Sequence, residues 1–283
     1  MRRNDRATVP RDAGSPGPVP RSDAHAAEGP RAMARRPRRN SDAIRIVPLI
    51  GTAVAARAVP AAHLTNRNGP LLTAVEITTI FWGSWWKTAP QDALVGRLNA
   101  FFDDILVSAL IDQLKEYSVP GKSIGHGRRT STLTVDTSPA TTVDDSAIVA
   151  FLEGLLAAGS VPKASANSLY FIYLPSGVSV TAAGQASCQQ FCGYHDVTAK
   201  GGIYYAVEPY PDCQGCLANL SDFDALTVTS SHELCEAITD PVPGQGWYDD
   251  ANGEIGDICP WQTKTVDSYT VQLEWSNASS TCA

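Results

Sequence analysis

From residue 60 onward the chain alternates between two apolar periods. AVEITTIFWG (residues 74–83) is β-branched and aromatic and lies between Pro70 and Gly83, which predicts a buried strand. In PQDALVGRLNAFFDDILVSALIDQLKEY, Leu94, Leu98, Phe101 and Ile105 recur at helical spacing, as do Phe102 and Leu106. Pro90 stands there as a first-turn residue, and Ser108 is where the stretch divides into two helices. STLTVDT predicts a short alternating strand. TTVDDSAIVAFLEGLLAAGS reads as a helix capped by Thr142, with Asp144 and Asp145 in its first turn and Gly159 as its stop.

SLYFIYLP predicts a second buried strand, continued by GVSV. SCQQFCGYHD reads as a loop and GGIYYAVEPY as a further strand. DALTVTSSHELCEAITD predicts a helix capped near Asp222 or Asp224 and ended by Pro241 and Pro243, and YTVQLEW predicts a last strand. This order predicts an α/β fold, a mixed sheet with covering helices and a cysteine-rich C-terminal part. It is also the order of a zincin-type metalloprotease subdomain, whose metal helix packs beneath a mostly parallel sheet; that is an analogy of fold alone.

Residues 1–58 follow neither period. The first 57 hold 12 Arg against 5 acids (+7), while the remainder holds 10 basic residues against 24 acids (−14). The head is rich in Pro, Gly and Ala and has almost no large apolar residue before Ile44, so it cannot bury enough surface to offset chain entropy and is expected to be disordered. Residues 59–283 are expected to form a single α/β domain. RRPRR followed by IRIVPLIGTAVAARAVPAA has the order of an export signal, interrupted by Pro48 and Arg57 and improved if the chain starts at Met33. That stretch is too short and too broken to span a membrane in the mature protein. The acidic main domain has no phosphate-binding footprint, which excludes a nucleic-acid partner.

Candidate chemistry concentrates in SSHELCEAITDP. His232 and Glu236 are four apart on the predicted helix, so both reach one ion, and Glu233 projects beside them, where it can hold a metal-bound water and take its proton. A zinc protease of the common kind carries a second histidine where Glu236 stands. Further ligands are expected from TDPVPGQGWYDDANGEIGDICPW: Asp257 foremost, with Asp240 and Glu254 as alternatives. Asp249 and Asp250 flank the Asn252-Gly253 turn signal and read as turn residues. Zinc is the expected ion, although a carboxylate in place of a histidine admits harder ions.

Seven cysteines all follow residue 187: Cys188, Cys192, Cys213, Cys216, Cys235, Cys259 and Cys282. Their clustering points to disulfides formed in an oxidising compartment, with Cys235 left reduced inside the helix. The rival arrangement is a zinc knot of Cys188, Cys192, Cys213 and Cys216 with His195.

HLTNRNGPLLTAVEITTIFWG, FCGYHD, the Cys213-x-x-Cys216 pair after a strand, and EAITDP followed by GWYDDANGEIGDIC together resemble the EXORDIUM or phosphate-induced protein family, and more closely its uncharacterised bacterial and fungal relatives. The likeness runs from residue 63 to the end. It places Cys188, Cys192, Gly193 and His195 on the family's Cys-x-x-x-Cys-Gly-x-His loop, and Thr239 and Pro241 on its Thr-x-Pro helix end. The resemblance implies a secreted, cell-wall-associated protein with disulfides and no agreed biochemical activity. It supplies no role for His232, Glu233 or Glu236, which rest on their own spacing.

Two functions follow from these residues. One is a secreted zinc-dependent hydrolase of the peptidase kind. The other is a non-catalytic extracellular or cell-envelope protein that binds a peptide or a wall polysaccharide, with a structural ion or a hydrogen-bond network at the same residues. Trp82, Trp85 and Trp86 would serve the second by stacking on sugars, or else pack in the core.

Overall fold

The inner strands of the sheet, EITTIFW and SLYFIY, are buried on both faces, as parallel strands covered on both sides require, while the edge strand RRTSTLTV is half-exposed. Glu76–Trp82 (β2), Arg128–Val135 (β3), Ser168–Tyr173 (β4), Phe191–Val197 (β5) and Tyr204–Glu208 (β6) join Ile46–Pro48 (β1) in the order β1-β5-β6-β4-β2-β3. β6, β4, β2 and β3 run parallel; β5 runs antiparallel to both β6 and β1. The sheet is therefore mixed. This computed structural model describes residues 46–51, 61–199 and 202–283, which fall in one compact unit spanning 40–283.

The period of two decides which core each side chain enters. Ile77 and Phe81 of β2, with Leu169, Phe171 and Tyr173 of β4, pack against Leu98, Phe101, Phe102 and Ile105 of helix α1 (Gln91–Ile105). Ile80, Tyr170 and Ile172 point the other way, onto Ile148 and Leu152 of helix α3 (Asp145–Ala157). Each such side chain contributes about 1.5–3 kcal/mol when fully buried. Between these helices, Ser108 caps the short α2 (Ala109–Gln113), its Oγ accepting from the Leu110 amide at 3.2 Å.

Several boundaries differ from the sequence expectation. Asp144, not Thr142, caps α3: its carboxylate accepts from the Ser146 amide at 3.0 Å, while Thr142 pairs in a small strand with Ser179. GVSV does not continue β4. After the turn at Gly177 (φ 81°) it forms Ser179–Ala182 in a separate three-stranded sheet. FCGYHDV is strand β5 and not a loop, because pairing with β6 on one side and β1 on the other overrides the poor strand propensity of glycine.

Of the head, residues 46–51 are described. Ile46–Pro48 is an ordered edge strand, with Val47 fully buried, the Trp261 indole donating to the Pro48 carbonyl at 2.6 Å and the Ile50 amide donating to Gly215. The apolar residues that resembled an export signal find a partner surface in Cys192, Cys216 and Trp261. Residues 1–45 and 52–58 lie outside the described residues.

After β6 come the short α4 (Gln214–Leu217) and the long α5 (Asp222–Thr239), which lies against β5 and β6 and against the hairpin of Thr263–Val266 (β7) and Tyr269–Gln272 (β8). Its cap is Ser221, whose Oγ accepts from the Asp224 amide at 3.1 Å, so Asp222 and Asp224 stand in the first turn facing the positive helix end. Disulfides join Cys188 to Cys213, Cys192 to Cys216 and Cys259 to Cys282, leaving Cys235 free and buried. Four of these cysteines are thereby withdrawn from any zinc knot. The tryptophans pack: Trp82 stacks on Phe151 at 3.7 Å, Trp86 is buried, and Trp85 meets Trp86 and Tyr210 edge-on.

Candidate metal centre

Every residue of α5 from 225 to 239, and Asp240 after it, is buried. A helix buried all round is normally apolar all round. This one carries His232, Glu233 and Glu236 with no exposed surface. Such groups must be paired or must hold a cation, because an isolated buried charge is too costly to keep.

His232 and Glu236 meet as their spacing predicts, with Nε2 2.9 Å from Oε1. The pair is at hydrogen-bond distance without hydrogen-bond alignment, and His232 Nε2 has no hydrogen-bond partner among the described residues. Two ligands on one zinc, each about 2.0–2.1 Å from it, stand about 3 Å apart, so this is a spacing that a shared ion produces. Asp257 completes a group with them whose ligand atoms lie within 4.8 Å of one another. Asp257 is partly exposed as a residue, but its carboxylate accepts from the Glu254 amide at 3.0 Å and its own amide donates to Glu236 Oε1 at 3.2 Å.

β5 brings a residue that the sequence reading did not assign here. His195, expected beside the cysteines, points to α5 with Nδ1 3.1 Å from Glu233 Oε2 and 3.5 Å from Glu236 Oε2. Its Nε2 lies 3.2 Å from the Asp240 carbonyl and 3.6 Å from Glu254 Oε1. A carbonyl only accepts, so Nε2 carries a proton and Nδ1 offers its lone pair to two carboxylates. A second proton or a metal ion has to stand between them. Gly193, on the same strand face, makes the room: a Cβ there would come 3.3 Å from Glu208 Oε2 and 3.4 Å from Glu233 Oε1.

The C-terminal hairpin closes the other side. Gln272 places its amide nitrogen 2.8 Å from His232 Nδ1 and 2.9 Å from the Gly256 carbonyl, while its oxygen accepts from the Trp261 amide at 3.1 Å. The two backbone groups fix the amide, so its nitrogen faces the ring and Nδ1 accepts. Gly256 is needed because a Cβ would sit 2.7 Å from that Nδ1.

Of the other expected ligands, Glu254 is buried with both oxygens lacking a hydrogen-bond partner among the described residues, and it forms a second ligand group with His195 and Glu236. Asp240 lies beside the site, its carboxylate accepting from the amides of Gly244, Gln245 and Gly246 at 2.5–3.0 Å and also lying against the Glu254 carboxyl, with which it can share a proton. Asp249 is a turn residue, accepting from the amides of His63, Ala251 and Asn252. Glu208 and Glu274, not singled out in the sequence, add two more fully buried carboxyls without hydrogen-bond partners among the described residues.

The electrostatics divide these groups. Burial pushes Glu208 well above the usual carboxyl range, and the Glu233 charge adds to it. Burial likewise raises Glu254, helped by the charges of Glu236 and Asp240, and raises Glu274. Burial alone would raise Glu236 too, but His232 and then His195 outweigh it and hold its carboxyl at about 2. For His195 burial works downward, yet hydrogen bonds to Glu233 and Glu236 bring it to about 10. Burial opposes a charged His232 ring, but Glu236, with Glu233 and Asp257, outweighs it and raises the ring well above its usual value. The Gln272 amide nitrogen works against that charge, since it leaves no acceptor at Nδ1.

Comparison with protein-family models, curated proteins and solved structures finds no match to this chain.

Proposed function

We propose that this chain is a secreted protein built to hold a divalent cation, zinc foremost, and that it acts as a hydrolase of the peptidase kind. The observation that carries the reading is the set Glu208, Glu233, Glu236, Glu254 and Glu274, all fully buried, facing only two imidazoles. Nitrogen and carboxylate donors at His232, Glu236 and Asp257 suit zinc and harder first-row ions alike. When bound, such an ion lowers the pKa of a coordinated water toward 7.

The chain's own residues supply the rest. Glu233 sits next to His232 on the rigid helix, with Oε2 held by His195 and Oε1 without a donor among the described residues, so it is placed to take a proton. α5 beneath β5 and β6 of a mostly parallel sheet supports a zincin-like arrangement. Three disulfides, and the absence among described helices of one long and apolar enough to cross a membrane, agree with an extracellular or cell-envelope protein. We carry the EXORDIUM-like resemblance forward on the same footing: its Cys188, Cys192, Gly193 and His195 form the disulfides and the β5 wall of the site.

One observation favours the non-catalytic alternative. Among the site residues around α5 only Asp257 is partly exposed, as in a closed structural site of a wall polysaccharide- or peptide-binding protein. Metal analysis paired with a peptidase assay separates the two. Purified protein should retain at least one equivalent of divalent metal and Glu236→Ala should lose affinity for it. Glu233→Gln should keep the metal while hydrolysis falls about 10²–10⁴-fold. Metal retention without any peptide hydrolysis selects the structural-ion reading. A metal-free wild type that stays folded and ignores chelator overturns the metal reading and leaves a non-catalytic protein with a hydrogen-bond network at these residues.

A further inference from the structure

We infer that the site takes two divalent cations, with Glu236 as the carboxylate between them. The inference rests on the metal-site reading above and adds the second ion and its ligands. Two ligand groups share one residue: His195, Glu236 and Glu254 form one, and His232, Glu236 and Asp257 the other.

Glu236 divides its oxygens between the two histidines. Oε1 lies 2.9 Å from His232 Nε2, and Oε2 lies 3.5 Å from His195 Nδ1. A carboxylate whose oxygens each face a different imidazole is arranged to bridge, as in two-metal hydrolytic centres. A single ion on the His232 side leaves the other half unexplained. There Glu236 Oε2 and Glu233 Oε1 are buried with no hydrogen-bond partner among the described residues, and Glu254 lies against the Asp240 carboxylate, where a proton or a cation has to stand between them.

Charge favours a cation in each group: Glu233, Glu236, Glu254 and Asp257 crowd four carboxyls around two imidazoles, and an ion in each ligand group offsets their repulsion. The two halves are not equivalent: Nδ1 of His195 faces carboxylate oxygens of both Glu233 and Glu236, whereas His232 turns Nδ1 to the Gln272 amide and only Nε2 to Glu236.

The test uses the full disulfide-bonded chain, stripped by chelator and titrated with Co(II) under equilibrium dialysis, with bound metal counted by mass spectrometry. Wild type should bind two equivalents. His195→Gln and His232→Gln should each bind one, with circular dichroism confirming the fold. The EPR signal per cobalt should fall as the second equivalent binds, because ions joined by Glu236 couple magnetically; this readout needs no variant. Saturation at one equivalent, or two equivalents with uncoupled spectra, overturns the bridged pair and leaves the hydrolase reading standing. No binding at all overturns that reading as well.

Discussion

The side-chain amide of Gln272 holds His232 by Nδ1 at 2.8 Å, from a strand forty residues further along the chain. With its own oxygen committed to the Trp261 amide, Gln272 presents a donor, so the neutral ring keeps its proton on Nε2, facing Glu236. An ion on Nε2 reverses this: the proton moves to Nδ1 and Gln272 must turn its oxygen to the ring. Ring-nitrogen NMR of chelated protein should show His232 protonated on Nε2, and zinc-loaded protein should show it on Nδ1. An unchanged tautomer would remove His232 from the ligand set.

Proton linkage gives a second expectation. In chelated protein His195 is raised to about 10, and Glu208 and Glu254 lie well above the usual carboxyl range. A raised pKa means that the folded state holds protons the unfolded chain has released. The stabilisation from His195 is complete below its unfolded value of about 6.5 and is lost as pH rises through about 10. The buried carboxyls push the same way above about 4.5. Urea midpoints of chelated protein should therefore fall steadily from pH 6 to 10, while those of zinc-loaded protein stay nearly level. A chelated form whose midpoint rises over that interval contradicts the assignment.

Glycine substitutions separate site geometry from fold. At Gly256 an added methyl would sit 2.7 Å from His232 Nδ1, whereas at Gly154 on the exposed face of α3 it meets nothing within 4 Å. Gly256→Ala should weaken zinc binding at least tenfold by displacing the ring. Gly154→Ala should leave binding alone and stabilise by about 0.5–1 kcal/mol, the helix propensity difference. Isothermal titration and chemical denaturation read the two effects, and equal zinc affinities would show that the ring can move freely.

The disulfides lend themselves to thiol chemistry. Alkylation of native, unreduced protein should label nothing, and labelling after denaturation should find Cys235 alone. Replacing Cys192 and Cys216 together by serine should cost about 3 kcal/mol, the entropy of a loop of this length, and should also weaken metal binding, since Cys192 is on the strand that carries His195. An unchanged metal affinity would mean that β5 is held by its sheet pairing alone.

The sequence was informative where one local period or spacing dominates. β2, β4, β6, α1 and the His-Glu helix stand where the apolar pattern puts them, and His232 with Glu236 follows from helical geometry alone. Caps were misjudged by one to three residues, because Ser221 and Asp144 compete locally with other good cap formers. His195 and Gln272 were not legible as site residues. Each reaches α5 through sheet or hairpin pairing, from 37 residues before His232 and 40 after it, and pairing register carries no local signature. The one hint was Gly193, whose missing side chain only acquires meaning once β5 lies against two glutamates.

β1 sets where this molecule can be cut. It covers the outer backbone of β5, pairing Ile46 with Tyr194 and Val47 with Gly193. A fragment starting at residue 61 would keep both cores and every site residue, yet it would present β5 as a bare edge, and bare edges recruit other chains. Recombinant material trimmed to that point is expected to aggregate through β5, while material starting a few residues before Ile46 remains monomeric.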